Sequence, residues 1–318
     1  MKRVLITGAG SYVGESVKRY IQETASDQIE IESVDTFGDN WKKADYTKFD
    51  VVYHVAGIAE VNNKKGSEQL YYKVNTDLTI EIAKWAKEHG VKQFIFMSSM
   101  IVYKETRSLK GEVITPDTPL EPNGVYGDSK MKAEQGLLEL VSKSSNGVQG
   151  VSNGSTLKPS ETAEGMKPSE TSSQMKICIL RPPMIYGPNS KSNLLKLGWL
   201  GTKTPVFPNW RNKRSNLYID NLSEFVKQVI LREMDGILFP QNKEQSATVD
   251  IIRHFAKRYN HGIWITKLLN PFVWMGSFVL QPINKMFADF YYEPSMSEYD
   301  FDYQLVSFEE SLKRIEIK

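Results

Sequence analysis

Cysteine is almost missing from this chain of 318 residues: the single Cys178 lies inside the apolar run KICIL. One thiol excludes an internal disulfide framework, and its setting reads as a buried free thiol. Histidine is scarce too, with four in all. His54 beside the turn HVAG reads as structural, and neither His254 nor His261 has a cysteine or carboxylate cluster nearby, so no metal is expected. No run of 18 apolar residues occurs, which argues against a membrane-spanning helix. The stretch Leu268–Val279 and the following LQPINKMF are interrupted by proline, glycine and polar residues. That leaves peripheral contact through about 268–290, with a membrane surface or a partner, as an open reading. The opening MKRVLITG has too short an apolar segment for a signal peptide, so a cytoplasmic location is expected. Neither sign of charge dominates: 40 basic residues face 38 acidic ones, for a net +2. Without a basic run interleaved with aromatics, no nucleic-acid partner is expected.

What is present is an alternation. RVLITG, IEIESVD, FDVVYHVAG and VKQFIFMSS read as strands, with the amphipathic runs YVGESVKRYIQETA and QLYYKVNTDLTIEIAKWAKEHG between them; Gly90 ends the second helix. Strands separated by helices give an α/β fold with a doubly wound parallel sheet, which binds ligands beyond the carboxyl ends of its strands. The loops TGAGSYVG, HVAG and MSSM all fall at those ends. From Ser142 to Gln174 the composition changes: large apolar side chains almost vanish and the pentamer KPSET occurs at 158–162 and again at 167–171. Such a segment cannot offset its ordering entropy and is expected to be a flexible insertion. The organisation expected is a dinucleotide domain over 1–182, interrupted at 142–174, and a smaller, mainly C-terminal α/β substrate part over 183–318. Within the latter, about 214–242 is expected to pack back on the first domain.

Gly8, Gly10 and Gly14 stand between a strand and a helix, where positive φ and free N–H groups suit a pyrophosphate at a helix N-terminus. Ser11 stands where a middle glycine is usual. Asp35 ends the next strand, 27 residues after Gly8, in the position of a carboxylate that accepts from an adenosine ribose diol. No arginine adjoins it to receive a 2′-phosphate, so NAD is favoured over NADP. Asp45, in KKADYTKF, is either an adenine contact or an ordinary loop carboxylate. Tyr126 and Lys130 lie one helical turn apart in GVYGDSK. An ammonium beside a phenol lowers its pKa toward neutrality, which predicts a proton carrier for a sugar hydroxyl or a ketone. Ser98 and Ser99 end the strand VKQFIFM, where a hydroxyl can hold the reacting oxygen in line with Tyr126.

At these residues the sequence resembles the extended short-chain dehydrogenase/reductase family, in its branch of NAD-dependent nucleotide-sugar epimerases and dehydratases. TGAGSYVG (7–14), including Tyr12 and Val13, resembles the cofactor loop of that Rossmann-type fold. HVAG (54–57), with Ala56 and Gly57, resembles the segment beneath the cofactor, and VNTDLT (74–79) the helix whose Asn75 supports the site. FMSSMIVY (96–103) resembles the segment with the catalytic hydroxyl, which implies Ser99 as that group, Ser98 and Met100 as its neighbours at cofactor and sugar, and Tyr103 as a wall residue. YGDSK carries the Tyr126 and Lys130 pair, with Lys130 also implied at the nicotinamide ribose. LRPPMIYGP (180–188) places Pro182 at the nicotinamide and Met184 at the substrate, and RSNLYIDN (214–221) nominates Arg214 for a sugar-nucleotide diphosphate, although Arg211, Lys213 and Arg214 also fit a solvated face. Met184 departs from the asparagine common at that place. No Asp–Glu pair of the kind used by dehydratases follows Ser99, so dehydration is not expected.

The resemblance implies epimerisation of a UDP-hexose at carbon 4 through a transient 4-keto sugar. The alternative is a one-way nucleotide 4-keto-sugar reductase or related dehydrogenase of surface-polysaccharide synthesis. A nucleotide-binding protein without catalysis is the third reading, opposed by the joint presence of Ser99, Tyr126 and Lys130. A homodimer through helices at about 70–88 and 129–141 is implied as well.

Overall fold

The computed structural model describes residues 1–59, 68–105, 108–145 and 174–317. Most of the insertion expected at 142–174 lies outside the described residues. At its near end, Ser142 to Ser145 continue a helix that spans Val125–Ser145.

Four strands form the first half of the sheet: β1 (Lys2–Thr7), β2 (Ile29–Val34), β3 (Val51–His54) and β4 (Gln93–Met97). With the strands Lys176–Leu180 and Gly236–Leu238 they make one six-stranded sheet. Its order is Gly236–Leu238, Lys176–Leu180, β4, β3, β1, β2, and every pairing is parallel. Strands buried on both faces read as unbroken apolar runs, and β3 and β4 are buried along their whole length.

Alternation along a strand divides the core in two. Val4 and Ile6 point to the side where Val17 and Ile21 of α1 (Tyr12–Thr24) meet Phe225 and Val229 of the helix Ile219–Leu231. Leu5 points to the other, with Val52, Phe94 and Phe96 against Ile82 and Ala86 of the helix Leu78–Glu88 and Ala133 and Leu137 of the helix Val125–Ser145. Each such side chain contributes roughly 1.5–3 kcal/mol by leaving water. Cys178 is buried and free, and burial pushes its thiol pKa up. The chain leaves β1 for β2 on one side and reaches β3 on the other, so the gap beyond β1 and β3 is the switch point where such sheets bind ligands.

The helix expected over 69–90 is not uniform. Between Glu68–Tyr71 and Leu78–Glu88 the backbone widens into a π-helical turn at Tyr72–Asp77. Such turns mark places where a side chain is re-aimed, and the residue turned inward here is Asn75, fully buried. Beyond the sheet, three two-stranded parallel pairs build the rest: Met184–Tyr186 with Asn216–Tyr218, Glu112–Ile114 with Phe290–Tyr292, and Val206–Pro208 with Trp264–Thr266.

Candidate functional site

The turn after β1 carries the first part of the site. Gly8 has φ of 117°, and a Cβ there would come within 2.7 Å of the Ala56 nitrogen, so only glycine lets the turns after β1 and β3 approach. Gly10 also has positive φ, and its N–H donates to Glu15 Oε1 at 3.0 Å. An anionic oxygen therefore already sits on one of the loop's N–H groups, which fits the loop to a pyrophosphate. Ser11 caps α1, accepting from Gly14 N–H at 3.2 Å; the departure from a middle glycine thus satisfies an orphan donor. Tyr12 packs inward, Val13 reaches the wall of the cavity described below, and burial raises the Tyr12 phenol pKa. Asp35 is exposed just past β2, accepting from Phe37 N–H at 3.0 Å. Asp45 is occupied differently: its carboxylate accepts from Thr47 N–H and hydroxyl, at 3.2 and 2.6 Å, and faces Lys48 at 3.5 Å. Those bonds hold its pKa below the ordinary value. Asp45 thus caps the short helix Tyr46–Lys48.

A cavity of about 640 Å³ opens beyond β3 and β4, with Ser99, Tyr126 and Lys130 in its lining. Gly57, Ser98, Met100, Pro182, Met184 and Arg214 line it as well. Gly127 explains why helix and loop meet: a Cβ there would lie 2.6 Å from the Ile101 carbonyl oxygen. With only hydrogen in that space, the helix Val125–Ser145 begins against the turn after β4. Ser99 caps the short helix Met100–Val102, its hydroxyl accepting from Ile101 N–H at 3.3 Å, and it shares the cavity lining with Tyr126. Met100 N–H donates to the Pro182 carbonyl at 2.8 Å, which ties this turn to the strand beyond. Asn75 holds the loop after β3 from below. It accepts from Ile58 N–H at 2.8 Å and donates to Ile58 O and Ser129 Oγ, both at 3.0 Å.

Two expectations need correction. The phenol of Tyr126 is not lowered by Lys130. Burial pushes it up to about 12, the neighbouring Ser99 hydroxyl offsets part of this, and Lys130 is not among the groups acting on it. The reason lies in where the ammonium points: Lys130 Nζ donates to Met97 O at 2.8 Å and sits 4.7 Å over the Phe96 ring. Its own pKa is pulled down to about 8 by desolvation, partly countered by Glu134. Ser98 lines the cavity, and its hydroxyl donates to Glu134. Glu134 takes the guanidinium of Arg181, Nε at 3.1 Å and Nη2 at 2.5 Å, and Arg181 Nη1 donates to the Tyr103 hydroxyl at 2.7 Å. Tyr103 thus belongs to a buried polar network behind the cavity and not to its wall. Glu134 and Arg181 escaped the sequence reading, although Glu134 stands one helical turn after Lys130 on the same face.

His54 is fully buried between Thr7 Oγ1 at 2.7 Å and Thr79 Oγ1 at 3.0 Å, with its pKa pushed down to about 3 by burial and then by Lys130. It is a neutral strut between β1, β3 and the helix behind them.

The outer wall of the cavity is cationic. Arg214 lines it, paired with Glu105 at 2.9 Å, and Lys191 and Lys285 line it too. The last two escaped the sequence reading because they come from segments 23 residues before and 71 residues after Arg214, with no motif to join them. Ser192 and Asn193, at the start of the helix Asn193–Gly201, complete this wall; the positive end of a helix favours an anion. Among the described residues no group of three or more metal-ligating side chains occurs, and no helix is long and apolar enough to cross a membrane.

A parallel sheet with a glycine turn at its switch point, and a serine, tyrosine and lysine gathered beside it, is the architecture of the extended short-chain dehydrogenase/reductases. Comparison with known proteins makes the assignment narrower. The NAD dependent epimerase/dehydratase family matches residues 4–153, just under half of the chain, and the chain is similar to that family over this span. A UDP-glucose 4-epimerase of Vibrio cholerae is 27% identical over 284 residues, covering 83% of this chain and 77% of its own. Among solved structures, the UDP-glucuronic acid 4-epimerase of Bacillus cereus in complex with NAD superposes with a TM-score of 0.65 at 17% identity, over 98% of this chain and 97% of that one. The dTDP-4-dehydrorhamnose reductase of Bacillus anthracis with NADP gives 0.65 at 17% identity, over 99% and 98%. These two likenesses share the fold. The cofactor of this family is a nicotinamide dinucleotide, and the glycine turn described above fits one.

Proposed function

We propose that the protein inverts carbon 4 of a nucleotide-linked hexose, a UDP-hexose in the simplest case, through a transient 4-keto sugar. One observation carries this: a single cavity is lined by Ser99 and Tyr126 and also by Lys191, Arg214 and Lys285. The first pair suits a proton on a sugar hydroxyl; the cations suit a diphosphate. The Vibrio cholerae relative, named a UDP-glucose 4-epimerase, supports the reading.

In this reading NAD lies on the turn Gly8–Gly14, with its ribose diol on Asp35, and the site is completed by Ala56, Gly57, Asn75, Lys130 and Pro182. Asp35 has no arginine beside it, which favours NAD over NADP. When bound in its oxidised form, NAD supplies a reversible hydride acceptor and a positive charge that favours phenolate. Ser99 holds the 4-hydroxyl, Tyr126 takes its proton and later returns it, and Met100 and Met184 give the sugar an apolar wall along which it can turn. The ammonium of Lys130, held by a carbonyl and not by a carboxylate, is free to move to a ribose hydroxyl. Leu70 and Leu138, both exposed, support a homodimer through the helices at about 70–88 and 129–141.

A 4-keto-sugar reductase is the second reading. It is favoured by the resting state of Tyr126, whose high pKa makes it a proton donor of the kind a ketone needs. The two separate in one experiment. Purified protein is incubated with UDP-glucose, UDP-galactose and their N-acetyl forms, with and without NADH, and configuration at carbon 4 is followed. Interconversion without net change in NADH is the expected result. Turnover only with stoichiometric NADH and a ketosugar replaces epimerisation with reduction, and no turnover of any of these sugars overturns both.

A further inference from the structure

A second apolar face lies next to the cavity. The strand Trp264–Thr266 and the helices Asn270–Ser277 and Gln281–Phe287 form an outlying hairpin on the small sheet with Val206–Pro208. One side is core: Val273 and Phe287 pack with Phe207, Val249 and Ile252. The two helices are tied together by Asn284 Nδ2 donating to Ser277 O at 2.7 Å. The other side is equally apolar and uncovered. Leu268, Phe272, Trp274, Met275, Phe278 and Val279 are each 56–80% exposed. A surface helix needs one apolar stripe to fold, and a second one contiguous over several turns marks a docking surface.

Charge and composition select the partner. The hairpin itself, residues 264 to 287, has two basic residues and no acidic one. Lys267 and Lys285, both on the hairpin, are exposed. Trp264 and Trp274 are exposed too, and indole rings settle at the boundary between headgroups and acyl chains. The helices, 8 and 7 residues long, are too short to span a bilayer and suit its interface. A second copy docked face to face would bring lysines together with no carboxylate on the hairpin to meet them. We propose that this hairpin docks on an anionic lipid surface, with its aromatic side chains at the headgroup boundary and Lys267 on lipid phosphates. Because Lys285 also lines the cavity, docking sets the cationic end of the site beside the headgroups. The proposal rests on the surface alone and stands whatever reaction the cavity performs.

The test is co-sedimentation of the full chain with vesicles of phosphatidylcholine containing 30% phosphatidylglycerol, and with pure phosphatidylcholine. The wild type is expected to bind the anionic vesicles, on the order of tenfold better than the neutral ones at low salt. The double substitution Trp274→Ser with Phe278→Ser is expected to lower binding by at least about tenfold while the carbon 4 assay is unchanged. Independently of any variant, brominated acyl chains are expected to quench the tryptophan fluorescence of the wild type. The proposal is overturned by absence of vesicle binding or of quenching, by equal binding of the double variant, or by a dimer in sedimentation that the same substitutions dissolve.

Discussion

Two buried cations lie at the carboxyl end of the sheet, and the structure treats them in opposite ways. Arg181 is 5% exposed and its guanidinium is forked onto Glu134, with Tyr103 taking a third N–H. Desolvation pulls its pKa down, but Glu134 in contact more than restores it. Lys130 is 4% exposed and has only a carbonyl and an aromatic face in contact. Desolvation therefore wins there. A charge forked onto a buried carboxylate is a fixture of the fold, whereas one left on a carbonyl at a cavity wall is available for a ligand. The first region builds the site, and the second is where chemistry is proposed.

The largest contrast is expected from Tyr126→Phe, on the cavity side of that divide. Removing the phenol oxygen is expected to lower turnover by roughly 10²–10⁴-fold while cofactor stays bound and the midpoint of thermal unfolding hardly moves. Turnover like that of the wild type would place the proton elsewhere. Glu134→Ala probes the other side. It strands a buried guanidinium, and losing one partner of such a pair costs about 3–5 kcal/mol, read from urea unfolding. Adding Arg181→Met should recover most of that loss, because the stranded charge is then gone. If Glu134→Ala costs no more than a surface substitution, the two regions do not differ as described.

Much of this was legible in the sequence, and what was not has a common cause. The strands β1, β3 and β4 follow from unbroken apolar runs, and the turn at Gly8 from glycine between strand and helix. Those signals are local and periodic. The direction of the Ser98 hydroxyl is set by Glu134, 36 residues away, and Glu134 in turn by Arg181, 47 further on. The pKa of Tyr126 depends on how much water the fold removes, which no spacing records. The π turn at Tyr72–Asp77 answers to the fit of Asn75 beneath Ile58, again a contact between distant segments. Sequence pattern thus named Ser99, Tyr126 and Lys130, which line one cavity, and missed Lys191, Lys285 and the network of Glu134 and Arg181.

Lys130→Met is the intermediate case and reverses the sign. The folded pKa of about 8 lies below the ordinary 10.5, so the folded state binds fewer protons between those values and wild-type stability rises with pH through that window. Below pH 8 the charged lysine costs the fold about 3 kcal/mol. Methionine removes this cost but leaves the Met97 carbonyl without its donor, for a net gain of about 2 kcal/mol at pH 7. The gain is expected to vanish as pH approaches 10.5, while activity is lost at every pH. A stability difference independent of pH would mean that Lys130 is not a desolvated cation.

The smallest expected effect sharpens the comparison most, because it separates neighbours. Ser98 and Ser99 differ by one position, yet one hydroxyl bonds the buried Glu134 and the other lies in the cavity lining with Tyr126. Ser98→Ala removes one donor from a carboxylate that keeps the Arg181 fork, so a loss of about 1 kcal/mol in stability is expected, with kcat unchanged. Ser99→Ala should do the reverse, lowering kcat with little change in the urea midpoint, since its hydroxyl lies at the half-buried cavity wall and holds no buried charge. Measuring both quantities for both variants gives a crossed pattern if the boundary between scaffold and chemistry runs between residues 98 and 99. Should Ser98→Ala lower kcat as much as Ser99→Ala, then the Ser98 hydroxyl leaves Glu134 when substrate binds, and the network behind the cavity is part of the reacting site.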